Sequence, residues 1–314
     1  MNVVQEESDM RCAVIGLGAM GMGVAKTLLA KGFDVTGCDP KESARAEFTE
    51  AGGRSVANAA ALDSEALDAL ILLVVNAAQV EQVLFGEQGI AARLRPGTLL
   101  IQSTTIPPGY AKELGARLSA MGLLMLDAPV SGGAKAAAEG RLTVMASGPE
   151  EAFARAASLL EAIAAKVWRL GAAHGAGSTV KMVNQLLAGV HIAAAAEALA
   201  LGIRAGADPQ TLFEVISTSA GSSWMWQNRV PHILAGDDRP LSAVNIFVKD
   251  LGIVLDEARR LTFPLPLAAS AHQLFLAAAA HGEGDKDDAF VIRVFEALTG
   301  IPLPKSAATG SSTA

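Results

Sequence analysis

Cys12-Ala13-Val14-Ile15-Gly16-Leu17-Gly18-Ala19-Met20-Gly21 decides the fold, because an apolar strand runs straight into glycines spaced for a turn onto a helix. Gly16 is placed for the tight turn, Gly18 leaves room for a phosphate against the backbone, and Gly21 lets helix and strand approach. Leu17, Ala19 and Met20 complete the loop. The helix that follows offers unpaired N–H groups and a positive dipole end to an anion. Glycines cluster in many turns that bind nothing, so the surroundings carry the reading. Phe33 to Asp39 reads as a second strand, and Asp39 lies 23 residues after Gly16, near where an acid accepts ribose hydroxyls. A carboxylate there repels a 2′-phosphate, so the expected cofactor is NAD. The plainer reading makes Asp39-Pro40 a turn that opens the next helix.

The chain has 314 residues and a formal charge of −7. Two domains of ordinary size fit that length. No basic stripe is available to neutralise phosphates, which argues against nucleic acid as a partner. Cys12 and Cys38 both fall in apolar strands and suit small core residues better than a disulfide or metal site. The five histidines have no metal-ligand spacing, so no metal is expected. Met1 to Met10 carries Glu6, Glu7 and Asp9 rather than an apolar signal, giving a cytoplasmic expectation.

Up to about residue 172 the pattern alternates apolar strands with helical stretches: Leu70 to Val75, Thr98 to Gln102, Leu123 to Ala128, Leu142 to Ala146 and Val167 to Leu170. That rhythm is α/β, a doubly wound sheet. From 173 to 314 alanine- and leucine-rich segments with helical spacing predict an all-α domain, joined to the first by a long helix. Leu186 to Ile203 is long and apolar, yet it carries His191 and Glu197 and is mostly alanine, so a buried interdomain helix is expected and no membrane partner. His191 is read as a packing residue. The small polar tail after Pro304 is expected to be disordered.

Asp127-Ala128-Pro129-Val130-Ser131-Gly132-Gly133 ends a predicted strand, and ligands of open α/β sheets collect beyond such ends. Ser131 supplies a hydroxyl, while Gly132 and Gly133 expose backbone N–H groups that suit a carboxylate; an ordinary turn explains the segment equally well. Gly175 to Lys181 leads into the long helix, with Ser178 as the expected N-cap and Lys181 in the first turn. The helix dipole disfavours a cation there, which suits a lysine that exchanges a proton with an alcohol. Most helical lysines are simply solvated. Asn184 and Gln185 lie one turn on and could read a polyhydroxy substrate. Trp224 and Trp226 suit apolar anchors, and Asp285, Asp287 and Asp288 suit a solvated loop or a contact.

Taken in order, the glycine fingerprint, Asp127 to Gly133, the Lys181 segment and Phe247-Val248-Lys249-Asp250-Leu251 resemble the β-hydroxyacid dehydrogenase family from about Cys12 to Gly300. The resemblance implies a Rossmann domain, a connecting helix, a helical domain and a homodimer or homotetramer. It implies Lys181 as catalytic acid/base, and Ser131, Gly132, Gly133, Asn184 and Gln185 as substrate-binding. Gly16 to Gly21, Asp39, Val75, Asn76, Thr105 and Lys249 would meet the cofactor. Relatives commonly read Leu-Pro at Val75-Asn76 and Asn at Gln185. Val74 to Gln79, Gln185 to Ile192 and Ser223 to Met225 resemble the branch that oxidises L-threonate, a four-carbon sugar acid, at carbon 2. Tartronate semialdehyde, 3-hydroxyisobutyrate and 4-hydroxybutyrate are the alternative substrates. A noncatalytic dinucleotide sensor is the rival of another class, although it has no need of Lys181 or Ser131.

Overall fold

The computed structural model describes residues 10–304. Its first compact unit ends at Met182 and its second begins at Val183. In the first, β1 (Arg11–Ile15), β2 (Asp34–Cys38), β3 (Arg54–Val56), β4 (Ala69–Leu72), β5 (Leu99–Gln102) and β6 (Leu124–Asp127) form one sheet in the order β3-β2-β1-β4-β5-β6. Every pairing in it is parallel. Parallel strands are covered on both faces, which is why β4, β5 and β6 read as unbroken apolar runs without alternation. Successive residues divide between two cores: Ala69, Ile71, Leu99 and Ile101 face one side, and Leu70, Leu72 and Leu100 the other.

The helices of this unit are α1 (Ala19–Ala30), α2 (Glu42–Glu50), α3 (Ala77–Phe85), α4 (Pro108–Ala120), α5 (Gly133–Ala138) and α6 (Glu150–Ile163). Phe48 of α2, Leu28 of α1 and Leu159 of α6 fill the first core, whereas Leu84 of α3 and Leu114 of α4 fill the second. Cys12 belongs to the first core and Cys38 to the second. Both are free and buried. Burial pushes the Cys12 thiol up to about 12 and the Cys38 thiol up to about 11, so neither is a thiolate at neutral pH.

The expected single sheet needs correction at its far end. Leu142 to Ala146 is a strand, β8, but it pairs with β7 (Val130–Ser131) and β9 (Ala164–Arg169) in a separate sheet ordered β7-β8-β9. The β7–β8 pairing is antiparallel, and β8 and β9 are parallel. A two-residue strand such as β7 carries no readable period, and its partner β8 is spelled like a strand of the main sheet.

The long helix α7 runs from Ala176 to Arg204, and the two compact units part inside it. It is long and apolar enough to cross a bilayer on length and composition, but 44% of its most apolar 18-residue window is buried within the protein. It is not the buried rod expected: Val183, Leu187 and Leu201 are exposed, and so is His191, which therefore is not a packing residue here. The mostly small side chains of this helix leave its faces poorly distinguished by sequence.

In the second unit, α8 (Pro209–Ser217), α9 (Trp224–Ala235), α10 (Val244–Arg260), α11 (Pro266–Ala278) and α12 (Arg293–Thr299) follow. Asp208 caps α8 with Pro209 in first position, Ser223 caps α9, and Gly236 ends α9 in the left-handed conformation. The buried face of α10 is spelled Val244, Phe247, Leu251, Val254 and Ala258, at helical spacing. Phe247 stacks on Phe275 of α11 with ring centroids 5.2 Å apart. Trp226 is buried, whereas Trp224 is 58% exposed.

Asp287 and Asp288 are fully buried, which corrects the solvated-loop reading for both. Asp288 takes a forked contact from Arg229 of α9, with Nη2 donating to Oδ2 at 3.0 Å and Nε donating to Oδ1. Asp287 Oδ2 accepts from the Leu241 N–H and Oδ1 from that of Ala289, closing the loop before α10 against the turn before α12. Removing one partner of such a pair strands the other charge out of water. Asp288→Ala is expected to lower stability to chemical denaturation by about 3–5 kcal/mol; a loss under about 1 kcal/mol would show that the pair does not hold this unit.

Candidate active site

The strand directions gather the candidate residues. Because the six strands are parallel, the segments after β1, β2, β4, β5 and β6 all emerge at one edge, and these hold Gly16 to Gly21, Asp39, Val75-Asn76, Thr105 and Ser131 to Gly133. The strand order reverses between β1 and β4, so the crevice of a doubly wound sheet opens there. The glycine loop follows one of those strands and Val75-Asn76 the other.

Each fingerprint glycine has a distinct reason to lack a side chain. Gly16 has φ +94°, and a Cβ on it would stand 2.5 Å from the Leu73 carbonyl oxygen. A Cβ on Gly21 would stand 1.7 Å from the Gly16 carbonyl oxygen, so helix and turn meet without space for a methyl group. A Cβ on Gly18 would meet nothing within 4 Å, and Gly18 and Ala19 are exposed. That open approach to the first turn of α1 is where a pyrophosphate fits, against N–H groups that the helix itself cannot satisfy.

Asp39 follows β2 and is nearly buried. Its Oδ2 accepts from the Leu17 N–H and its Oδ1 from the Lys41 N–H, each at 2.8 Å. The acid thus holds the glycine loop, and each of its oxygens keeps a second lone pair. Arg45 donates to the backbone oxygens of Asp39 and Pro40, bringing a cation to the same strand end. Asn76 is the N-cap of α3: its side chain accepts from the Gln79 N–H at 2.9 Å, while Gln79 Oε1 accepts from the Val75 N–H at 2.8 Å. This reciprocal bonding fixes the entrance to α3.

Ser131 pairs with Thr143 as the second residue of β7, and Gly132 and Gly133 turn the chain into α5 with φ of +133° and +73°. Ser131 is half-buried and both glycines are exposed. Lys181 is 8% exposed. The expected N-cap is corrected: α7 begins at Ala176, two residues before Ser178, so Lys181 sits in the second turn, where the dipole effect has faded. Burial, not the helix end, distinguishes this lysine. Ser178 does not cap its own helix, because its Oγ donates to Asp127 Oδ1 at 2.6 Å.

Asp127, the last residue of β6, is the group that sequence reading passed over. Its carboxylate is fully buried and accepts from Ser178 Oγ, from the Gly175 N–H at 2.9 Å, from the Ser178 N–H at 3.0 Å and from Ser147 Oγ at 3.2 Å. Ser147 Oγ accepts in turn from the Gly177 N–H at 3.0 Å. A signal was available: an acid closing an apolar run must find donors to be buried at all.

In the second unit, Asn184 Nδ2 donates to Gln185 Oε1 at 2.9 Å, and Gln185 Nε2 donates to Asp250 Oδ2 at 2.5 Å. Lys249 Nζ lies 2.7 Å from Asp250 Oδ1, an ion pair by distance that is not aligned as a hydrogen bond. Asp250 was also unread, although Phe247 and Leu251 place its side of α10 inward. Among the described residues, no three His, Cys, Asp or Glu side chains are grouped as a metal would require.

Comparison with known proteins agrees with this geometry. Residues 11–171 match the NAD binding domain of 6-phosphogluconate dehydrogenase, and residues 175–295 match a domain described as NAD-binding of NADP-dependent 3-hydroxyisobutyrate dehydrogenase. L-threonate dehydrogenase of Cupriavidus necator is 60% identical over 94% of this chain and 98% of its own length. L-threonate dehydrogenase of Escherichia coli K12 is 52% identical over 95% and 99%. A crystal structure of 3-hydroxyisobutyrate dehydrogenase from Salmonella typhimurium, 49% identical, covers 91% of this chain and 100% of its own with a TM-score of 0.87. With these matches over nearly its whole length, the chain belongs to the 3-hydroxyisobutyrate dehydrogenase family and is an NAD(P)-dependent hydroxyacid dehydrogenase.

Proposed function

We propose that this enzyme oxidises L-threonate at carbon 2 to the 2-oxo acid, with NAD as acceptor and Lys181 as the acid/base. The observation that carries the reading is a buried lysine on a helix whose foot is tied to Asp127, the strand end that leads four residues later to Ser131. Likeness to L-threonate dehydrogenases over almost the whole chain supports the substrate. Bound NAD supplies the hydride acceptor. Ser131 with the Gly132 and Gly133 backbone holds the substrate carboxylate, orienting carbon 2. Lys181 Nζ takes the hydroxyl proton as the alcohol becomes a carbonyl. Asn184 and Gln185 read the remaining hydroxyls, and Lys249, Val75, Asn76 and Thr105 face the cofactor. Exposed leucines such as Leu201, Leu267 and Leu298 support a homodimer or homotetramer, and two free buried cysteines suit a reducing compartment such as the cytoplasm.

Likeness to the Salmonella 3-hydroxyisobutyrate dehydrogenase favours a second reading, in which 3-hydroxyisobutyrate is the substrate. NADH absorbance with threonate and erythronate stereoisomers, 3-hydroxyisobutyrate and 4-hydroxybutyrate separates the two. L-threonate is expected to give the highest kcat/KM; no turnover of any four-carbon sugar acid would return the assignment to the family. Lys181→Ala is expected to lower kcat by about 10²-fold or more with NAD binding retained. A wild-type rate would remove Lys181 from the chemistry.

The preference for NAD rests on Asp39. Asp39→Asn keeps acceptors for the Leu17 N–H but loses the charge that repels a 2′-phosphate, while Arg45 remains beside it. NAD affinity is expected to fall by about 10–100-fold, the worth of a hydrogen bond to a charged group, and NADP to lose less or gain. Equal losses for the two cofactors, measured by calorimetric titration, would separate Asp39 from cofactor choice.

A further inference from the structure

The carboxylate-binding loop and Lys181 reach the site by different routes. The loop is set by backbone. At the end of β6, Asp127 exchanges N–H···O bonds with Ser147 at 2.9 and 2.8 Å, the Ala128 N–H donates to Gln102 O at 2.8 Å, and the Met145 N–H donates to Pro129 O at 2.9 Å. These bonds fix residues 127–129, and Ser131 follows two residues later. The lysine is set by a side chain. The same Asp127 takes the Gly175 and Ser178 N–H groups and the Ser178 hydroxyl, so the foot of α7 is capped by an acid that belongs to the sheet.

The fit around that contact is close. Gly177 packs so tightly that a Cβ would stand 2.3 Å from Met145 O and 2.6 Å from Asp127 O. Its N–H donates to Ser147 Oγ, so the entry to α7 is met by side chains from the ends of β6 and β8. Lys181 lies three residues after Ser178, on the same side of the helix. Any tilt or slip of the helix foot therefore moves the amine against Ser131. A 1 Å misplacement of a reacting group costs on the order of 10²-fold in rate.

We propose that Asp127 is the positioning residue of this enzyme, setting the distance between Lys181 and the loop Ser131 to Gly133 by capping α7 from the sheet. The inference rests on the acid/base role given to Lys181 above. Asp127 touches neither substrate nor cofactor in it, and its effect passes entirely through the lysine.

The test is a double-mutant cycle of Asp127→Asn with Lys181→Ala, read as kcat with L-threonate, or with 3-hydroxyisobutyrate should that acid turn over instead. Asparagine retains one oxygen for the two N–H groups, and its NH2 can donate to a rotated Ser178 hydroxyl, so the cap is weakened rather than emptied. With Lys181 present, Asp127→Asn is expected to lower kcat about 10–100-fold while leaving NAD affinity, titrated by calorimetry, within about twofold. With Lys181→Ala there is no amine to position, and the same substitution is expected to cost less than about twofold. Equal fold-losses in both backgrounds would make Asp127 a general structural residue and overturn the proposal, as would a wild-type kcat for Asp127→Asn. A wild-type rate for Lys181→Ala alone is a separate result, which defeats the acid/base reading and this inference with it. If Asp127→Asn does not yield folded protein, Ser178→Ala removes the 2.6 Å donor alone and enters the same cycle, with the same non-additivity expected at smaller size.

Discussion

A helix that starts inside a protein brings N–H groups with no helical partner and the positive end of its dipole, and neither can be left buried without an acceptor. The foot of α7 is such a start, and Asp127 supplies the acceptor. A residue without a side-chain acceptor there would leave the Gly175 and Ser178 N–H groups facing only the fully buried end of β6. The requirement runs the other way as well. A carboxylate without solvent needs several donors, and those nearest to the end of β6 come from Ser147 and the 175–178 segment. Strand and helix each satisfy what the other cannot.

That mutual dependence explains the residue types crowded at the junction. Gly175 has φ +95° and Gly177 lies against two carbonyl oxygens, so neither position accepts a side chain without moving the helix. Ser147 and Ser178 are small enough to approach the carboxylate and polar enough to donate to it. In the middle of the sheet, the same economy appears around β1. Gly16 and Gly21 remove atoms so that turn and helix touch, and Asp39 bonds back to Leu17, so the acid proposed for cofactor choice also stiffens the glycine loop. In both places one carboxylate serves structure and site together, and its substitution cannot be read as a lost ligand contact alone.

The sequence was legible where a residue's neighbours along the chain determine its conformation. The glycine loop between β1 and α1, the strand that ends before Asp39 and the helical second unit all follow from local spacing. It was illegible where pairing partners are distant. Nothing within Leu142 to Ala146 distinguishes a strand of the main sheet from one that joins β7 and β9, and Arg54–Val56 is too short and too exposed to show a period. Ser178 looks like an N-cap because serine usually satisfies its own helix. An acid 51 residues away takes that role, and no local rule contains it. The burial of Asp287 and Asp288 was hidden for the same reason, since Arg229 lies across the unit in another helix.

Gln185 shows how a correct spacing can still assign too much to one residue. One turn beyond Lys181, its amide looks free to read hydroxyls. In the second unit both ends of that amide are engaged, the oxygen by Asn184 and the nitrogen by Asp250. Asparagine, with a reach shorter by about 1.5 Å, could not span the same gap from an unmoved helix. Gln185 therefore reaches Asp250, whose other oxygen lies 2.7 Å from the Lys249 ammonium. The Gln185 amide nitrogen keeps a second N–H and the oxygen a second lone pair, so a hydroxyl could be met only from the orientation that the bonds to Asp250 and Asn184 fix. The extra methylene thus places the amide against the Lys249–Asp250 pair, so under the substrate role proposed for Gln185 a change at 185 also removes a hydrogen bond from Asp250, and the two effects separate only by changing Asp250 as well.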